Sequence, residues 1–114
     1  MDMRALVVDP AVPGALRLGT APAPEPAPHQ LLLDVRHISL NRGEVAFAGR
    51  RPAGTVHGYD AAGVVVRAAA DGTGPAVGAR VAAFGAGAWA QRIAVDTKPF
   101  AEVPGEVGLA QAAA

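Results

Sequence analysis

Fourteen glycines and ten prolines cut this 114-residue chain into strand-length apolar runs, and runs that short favour strands over long helices. Ala5-Leu6-Val7-Val8 reads as a first strand ended by Asp9-Pro10. Pro13-Gly14 signals a turn, and Ala15 to Leu18 fits the returning strand of a hairpin. Pro22, Pro24, Pro26 and Pro28 then occupy alternate positions. Each removes a ladder donor, so this stretch is excluded from a central sheet and reads as an extended surface connector. The other reading of such a segment, a polyproline ligand, fits poorly between two strands.

Gln30 to Ser39 gives the clearest strand, with Leu31, Leu33 and Val35 on one face and Asp34 and Arg36 on the other. Asn41-Arg42-Gly43-Glu44 predicts a helix start, Asn41 capping and Glu44 reaching back from three residues on; Gly49 and Pro52 keep that helix short. Further strands are expected over Ala62–Ala69, Arg80–Phe84, Trp89–Val95 and Phe100–Val103, with a turn at Gly72-Thr73-Gly74-Pro75 and a hairpin turn at Gly85-Ala86-Gly87. From Leu109 the letters LAQAAA begin a helix that runs for about one turn, which implies that the chain continues in a parent protein. The pattern predicts a mainly β domain with one or two short helices, a partly open β-barrel.

Hydrophobic residues are 51% and charged residues 18% of the chain, a globular balance, but aromatics are only 4%, so the core is expected to be built from Val, Leu and Ile with a few Phe. Ten basic and ten acidic residues cancel, which gives no reason to expect nucleic acid or a membrane surface as partner. Without cysteine there are no disulfides, thiolate zinc sites or cysteine nucleophiles. No signal-peptide core follows Met1-Asp2-Met3-Arg4, and no apolar stretch approaches the roughly 20 residues of a membrane span, so a cytoplasmic location is expected.

The chemical motifs are sparse. Gly85-Ala86-Gly87-Ala88-Trp89-Ala90 matches G-x-G-x-x-A, but a dinucleotide fingerprint needs a long helix after it, and here a strand follows. No phosphate-binding G-x-x-x-x-G-K-[ST] is present. His57 and Asp60 lie three apart in HGYD, but His29 and His37 have no ligand spacing to them; a satisfied, non-ligating His57 is the favoured reading, with a metal site at His57 and Asp60 the weaker one. Ser39 lacks a nucleophile elbow. Tyr59 and Asp60 divide evenly between an aromatic plug with a turn carboxylate and a functional loop. Arg50-Arg51 reads as a solvated loop, with contact to an anionic cofactor group as the alternative.

Five collinear segments resemble the medium-chain dehydrogenase/reductase superfamily. MRALVVD is similar to its first strand, and QLLLDVRHISLNRGEV (30–45) to the strand and Asn-containing turn of its quinone-oxidoreductase branch. GYDAAGVVVRAAADGTGPAVGARVAAFG (58–85) resembles the G-[HTWY]-[ED]-x-x-G-x-V segment and its VGxRV continuation, while GAWAQRIAV and PGEVGLAQAAA resemble the next strand and the linker to the nucleotide domain. The resemblance implies a GroES-like catalytic domain over 1–108 and, at 109–114, the start of a helix leading to a Rossmann domain that this chain lacks.

Zinc-dependent members carry Cys where this chain has Asn41 and His where it has Tyr59, and their cysteine lobe has no room in the four residues between Phe84 and Trp89. The resemblance therefore implies the zinc-free branch, whose members reduce quinones, enones or related carbonyl compounds with NADPH or NADH. By position it implies Tyr59 and Asn41 as catalytic residues. Asn41, Arg42 and Glu44 would be at the cofactor, and Tyr59, Asp60 and Trp89 would line the substrate pocket. No metal, and no cofactor tightly bound to this chain alone, is expected. A barrel lacking its closing segment exposes apolar surface and strand edges, so a homodimer is expected. The other function class is a stand-alone GroES-like binding or dimerisation module without activity.

Overall fold

The computed structural model describes residues 2–98 and 100–114. Seven strands and two short α-helices follow one another as β1 (Asp2–Val8), β2 (Leu16–Pro22), β3 (Gln30–Ile38), α1 (Arg42–Ala46), β4 (Asp60–Arg67), β5 (Arg80–Phe84), β6 (Arg92–Asp96), β7 (Phe100–Glu102) and α2 (Leu109–Ala113). Single 3-10 turns at Pro13–Ala15 and Ala48–Arg50 complete the set. β1 and β2 form an antiparallel two-stranded ribbon. The other five strands make an antiparallel sheet in the order β6-β3-β4-β5-β7. The mainly β architecture with short helices expected from the sequence is what forms.

The ribbon is stitched to the sheet along the free edge of β1. Isolated bridges join Ala5 to Ala90 and Val7 to Val56. Around them Leu6 N donates to Trp89 O (2.8 Å) and His57 N to Leu6 O (3.1 Å). Inside lie Leu31, Leu33, Val65, Val81, Ile93 and Val95, with Trp89 the one large aromatic of this cluster. Leu31 and Leu33, two apart on β3, are fully buried as the alternation predicts; each contributes about 1.5–3 kcal/mol by leaving water. Leu32 is also buried, against the alternation. It lies in a groove shared with Ala23 and Pro24, so the proline connector covers that face of β3.

Several boundaries differ from expectation. β2 runs on to Pro22, which pairs with Asp2 in the ribbon's last position, where a lost donor costs little. β4 begins at Asp60 and ends at Arg67, two residues earlier at each end than the pattern of apolar residues suggests. The main correction concerns Gly85-Ala86-Gly87. It is a turn but no hairpin, because β6 pairs with β3 at the far edge rather than with β5. Beyond the end of β5, Gly85 N donates to Tyr59 O (2.8 Å), Gly87 N to Gly58 O (3.0 Å) and Trp89 N to His57 O (2.9 Å). The ladder thus continues past β4 and β5 and carries the chain across to β3. Trp89 sits in this crossing, ahead of β6 rather than within it.

Two glycines permit close approach. Gly58 has φ +92, and a Cβ there would collide with the Trp89 ring; a Cβ on Gly63 would collide with the Asp34 carbonyl, beside the register shift in β3. Among the described residues no helix is long and apolar enough to cross a membrane.

Candidate functional site

The end of β3, the first turn of α1 and the start of β4 converge on one group of polar side chains. Asn41 is extended (φ −109, ψ 151) and starts α1. Its backbone N–H donates to Glu44 Oε2 (2.9 Å), and its Nδ2 donates to Glu44 Oε1 (3.2 Å) and Asp60 Oδ2 (2.8 Å). A single amide facing two carboxylates fixes its own orientation, since only the NH2 side can donate. The Ser39 hydroxyl adds a second donor to Asp60 Oδ2 at 3.2 Å. Glu44 is 5% exposed, and a carboxylate at that depth requires such partners. The sequence reading of Asn41 and Glu44 as a helix start therefore holds, with a further partner in Asp60 contributed by β4.

His57 lies beneath this group, 2% exposed. Its Nε2 is 2.6 Å from the Glu44 carbonyl oxygen; a carbonyl only accepts, so Nε2 carries the hydrogen. Among the described residues Nδ1 is buried with no partner, which corrects the expectation of a fully satisfied ring. The ring stands edge-on to Trp89 (5.1 Å, 90°). Trp89 Nε1 in turn donates to Ser39 O (3.1 Å), tying the crossing segment to the end of β3.

Above His57 a cleft of about 360 Å³ opens between α1 and the start of β4. Tyr59 and Phe84 stack along one side (5.7 Å, 16°), and Phe47 stands on the α1 side. Arg51 Nη1 donates to the Tyr59 hydroxyl oxygen at 3.0 Å. Asn41, Glu44 and Asp60 line the same cleft. A second opening of about 490 Å³, beneath α2 and lined largely by alanine, shares Asn41, Asp60 and Phe84 with the first. Flat aromatic walls with a hydroxyl and a guanidinium suit a planar molecule bearing an oxygen that takes hydrogen bonds.

Of the residues singled out from sequence, Tyr59, Asn41, Asp60 and Glu44 come together here. Arg42 is exposed on the first turn of α1 and does not line the cleft, and Trp89 is core, facing the cleft only through His57. Sequence reading missed Phe84, which meets the site because Phe84 pairs with Asp60 across β4 and β5; that register cannot be read from a single strand. Ser39 offered only its place two residues before Asn41. Arg51, read as solvated loop, is half-buried on Tyr59. Among the described residues no three His, Cys, Asp or Glu side chains gather to hold a metal ion, and the Nε2 of His57 is already committed to a carbonyl.

The sequence profile of the alcohol dehydrogenase GroES-like domain matches residues 27–105. No curated protein matches the chain significantly by sequence. Among solved structures, one from Rhizobium etli CFN 42, assigned as a zinc-dependent alcohol dehydrogenase, superposes with a TM-score of 0.89 at 29% identity, over 99% of this chain and 36% of that one. A mycobacterial quinone oxidoreductase gives 0.83 at 28% identity, over 97% and 36%. A mycobacterial protein in complex with NADPH gives 0.79 at 28% identity, over 94% and 35%. The chain spans little more than a third of the length of these proteins.

Proposed function

Because this chain belongs to the alcohol dehydrogenase GroES-like domain family, the N-terminal domain of the medium-chain dehydrogenase/reductase superfamily, we propose that it is the substrate-side domain of a zinc-free, NAD(P)H-dependent oxidoreductase acting on quinones, enones or related carbonyl compounds. The observation that carries this reading is the Tyr59 hydroxyl, held by Arg51 in an aromatic cleft beside the Asn41–Asp60 pair. Likeness to a quinone oxidoreductase and to an NADPH-bound protein supports the chemistry. Residues 1–108 would be the catalytic domain and 109–114 the start of the helix toward a nucleotide-binding domain.

Zinc chemistry fits poorly. By the resemblance, Asn41 and Tyr59 take the positions of the Cys and His of zinc-dependent members, and an amide engaged with two carboxylates is a poor metal donor. The R. etli protein, assigned as zinc-dependent, makes this a point to test by metal analysis.

The nicotinamide fits the first turn of α1, where Asn41 and Arg42 are exposed; when bound it supplies the hydride. Glu44 is buried against Asn41, so its part is to hold that turn in shape rather than to reach the cofactor. Asp60 and Ser39 fix the Asn41 amide. Phe47, Tyr59 and Phe84 hold a flat conjugated substrate and exclude water from its faces. The Tyr59 hydroxyl donates a hydrogen bond, then a proton, to the substrate oxygen as negative charge develops there. Trp89 acts from the core by holding His57 and Ser39 in place. The open edges of β6 and β7 and the exposed Leu18, Val45 and Val77 favour self-association as a homodimer.

The test is NADPH oxidation with 1,4-naphthoquinone and cyclohex-2-enone. A form of the protein extended through a nicotinamide-binding domain is expected to turn over at least one of them, and the 114-residue chain alone neither. A second reading, a binding module without activity, is favoured if the extended protein binds NADPH but reduces neither compound.

A further inference from the structure

We infer that Arg51 is a positioning residue for Tyr59: it directs the hydroxyl hydrogen into the cleft and holds the charge left on the oxygen after proton transfer. The second part rests on the reductase reading above; the first stands on geometry alone.

A guanidinium has five N–H donors and no acceptor, so in the 3.0 Å contact the Tyr59 oxygen must accept. The phenol's own hydrogen is thereby left for another partner. The ring cannot swing to offer it elsewhere, because Phe84 stacks on one face and the His57 ring stands against it at 6.3 Å and 65°. A hydroxyl hydrogen conjugated with its ring lies near the ring plane, on the side away from its lone-pair partner. Tyr59 lines the cleft, so a molecule bound there is the partner to which that hydrogen is offered. The guanidinium carbon is 5.7 Å from the ring centroid, at the outer reach of a cation–π contact, so its business is with the oxygen rather than the ring face.

The charge of Arg51 is also uncommitted. The two carboxylates of the cleft, Glu44 and Asp60, are bonded to Asn41 and Ser39. The ion pairs among the described residues join Arg17 to Asp9, His29 to Asp96, Arg36 to Asp34 and Arg67 to Glu25, and none takes Arg51. In the reaction, an electron-poor substrate carbon receives hydride with its electron pair from reduced nicotinamide, which is oxidised. The π electrons move to the substrate oxygen, which takes the Tyr59 proton. The O–H bond of Tyr59 breaks, its electron pair stays on the phenolate oxygen against Arg51, and solvent water at the cleft mouth returns the proton.

Tyr59 is the single tyrosine of the chain, so the tyrosine Fermi doublet in the Raman spectrum reports this one hydroxyl. The wild-type chain is expected to give the doublet of a strong hydrogen-bond acceptor. Arg51→Leu should convert it to that of a phenol bonded to water, and Arg51→Lys, still a donor, should restore it. Identical doublets in wild type and Arg51→Leu overturn the contact. Cyclohex-2-enone in large excess should move the wild-type doublet toward simultaneous donor and acceptor, and no response overturns the direction assigned to the hydrogen. In the extended protein Arg51→Leu should lower kcat on the order of 10–100-fold with little change in KM, and Arg51→Lys should recover most of it. An unchanged kcat in Arg51→Leu, with Tyr59→Phe still impaired, overturns the charge-holding role and leaves the reductase reading standing.

Discussion

Asn41 and Asp60, on opposite sides of the loop that separates α1 from β4, meet at 2.8 Å, and the same Asn41 amide also holds the buried Glu44. One neutral side chain thus keeps two carboxylates apart and partnered. Asn41→Ala removes donors from both and is expected to destabilise the chain by about 1–3 kcal/mol, read as a lower midpoint in urea. Asn41→Asp should be worse, because a third carboxylate then replaces the donor that Glu44 and Asp60 share. Equal deficits in Asn41→Ala and Asn41→Asp would show that the amide matters by shape rather than charge.

Gly58 is where the backbone passes under the Trp89 ring at φ +92. Gly58→Ala should displace Trp89, the only tryptophan, and through it the bond to Ser39. The expected readout is a red-shifted emission with a loss of several kcal/mol, on the order of the larger effects seen for strained backbone and core overpacking. Native emission and stability in Gly58→Ala would remove Gly58 and Trp89 as the support of the site.

Far from the cleft, the side-chain hydroxyl and then the backbone N–H of Thr73 hold the Asp71 carboxyl below the ordinary aspartate value, with a smaller contribution from His29. A depressed carboxylate favours the folded state above its unfolded pKa, and that contribution fades as the pH falls through the lower folded value. Thr73→Val should raise the Asp71 titration midpoint measured by NMR, toward but not to the ordinary value, since the backbone donor remains. No movement would mean that the hydroxyl is not bonded to Asp71 in solution.

Much of this fold was legible in the sequence because the governing patterns are local. Alternating Leu31 and Leu33, the proline connector and the Asn41–Glu44 helix start each depend on residues within a few positions of one another. What failed was pairing. Gly85-Ala86-Gly87 looks like a hairpin turn, and only the pairing of β6 with β3 reveals that the chain crosses over. The same limit hid Phe84 and Arg51 from the site. One enters by strand register, and the other by a loop folding back onto Tyr59. The resemblance implies Trp89 as a pocket residue by position, but its ring turns inward to His57.

Open strand edges give a further expectation. Among the described residues β6 and β7 each pair on one side only, so sedimentation of the isolated chain should show a dimer or a concentration-dependent mixture. A monodisperse monomer over a wide concentration range would mean that these edges are protected by other means.

The most direct measurement concerns Tyr59 itself. In the protein extended through a nicotinamide-binding domain, steady-state reduction of the preferred carbonyl substrate by NADPH is compared between wild type and Tyr59→Phe, with thermal stability measured in parallel. Turnover is expected to fall on the order of 10²-fold or more with the melting temperature nearly unchanged, since among the described residues the lost hydroxyl bonds only to Arg51. Wild-type rates in Tyr59→Phe would contradict the assignment of Tyr59 as proton donor and, with it, the zinc-free mechanism built on that residue.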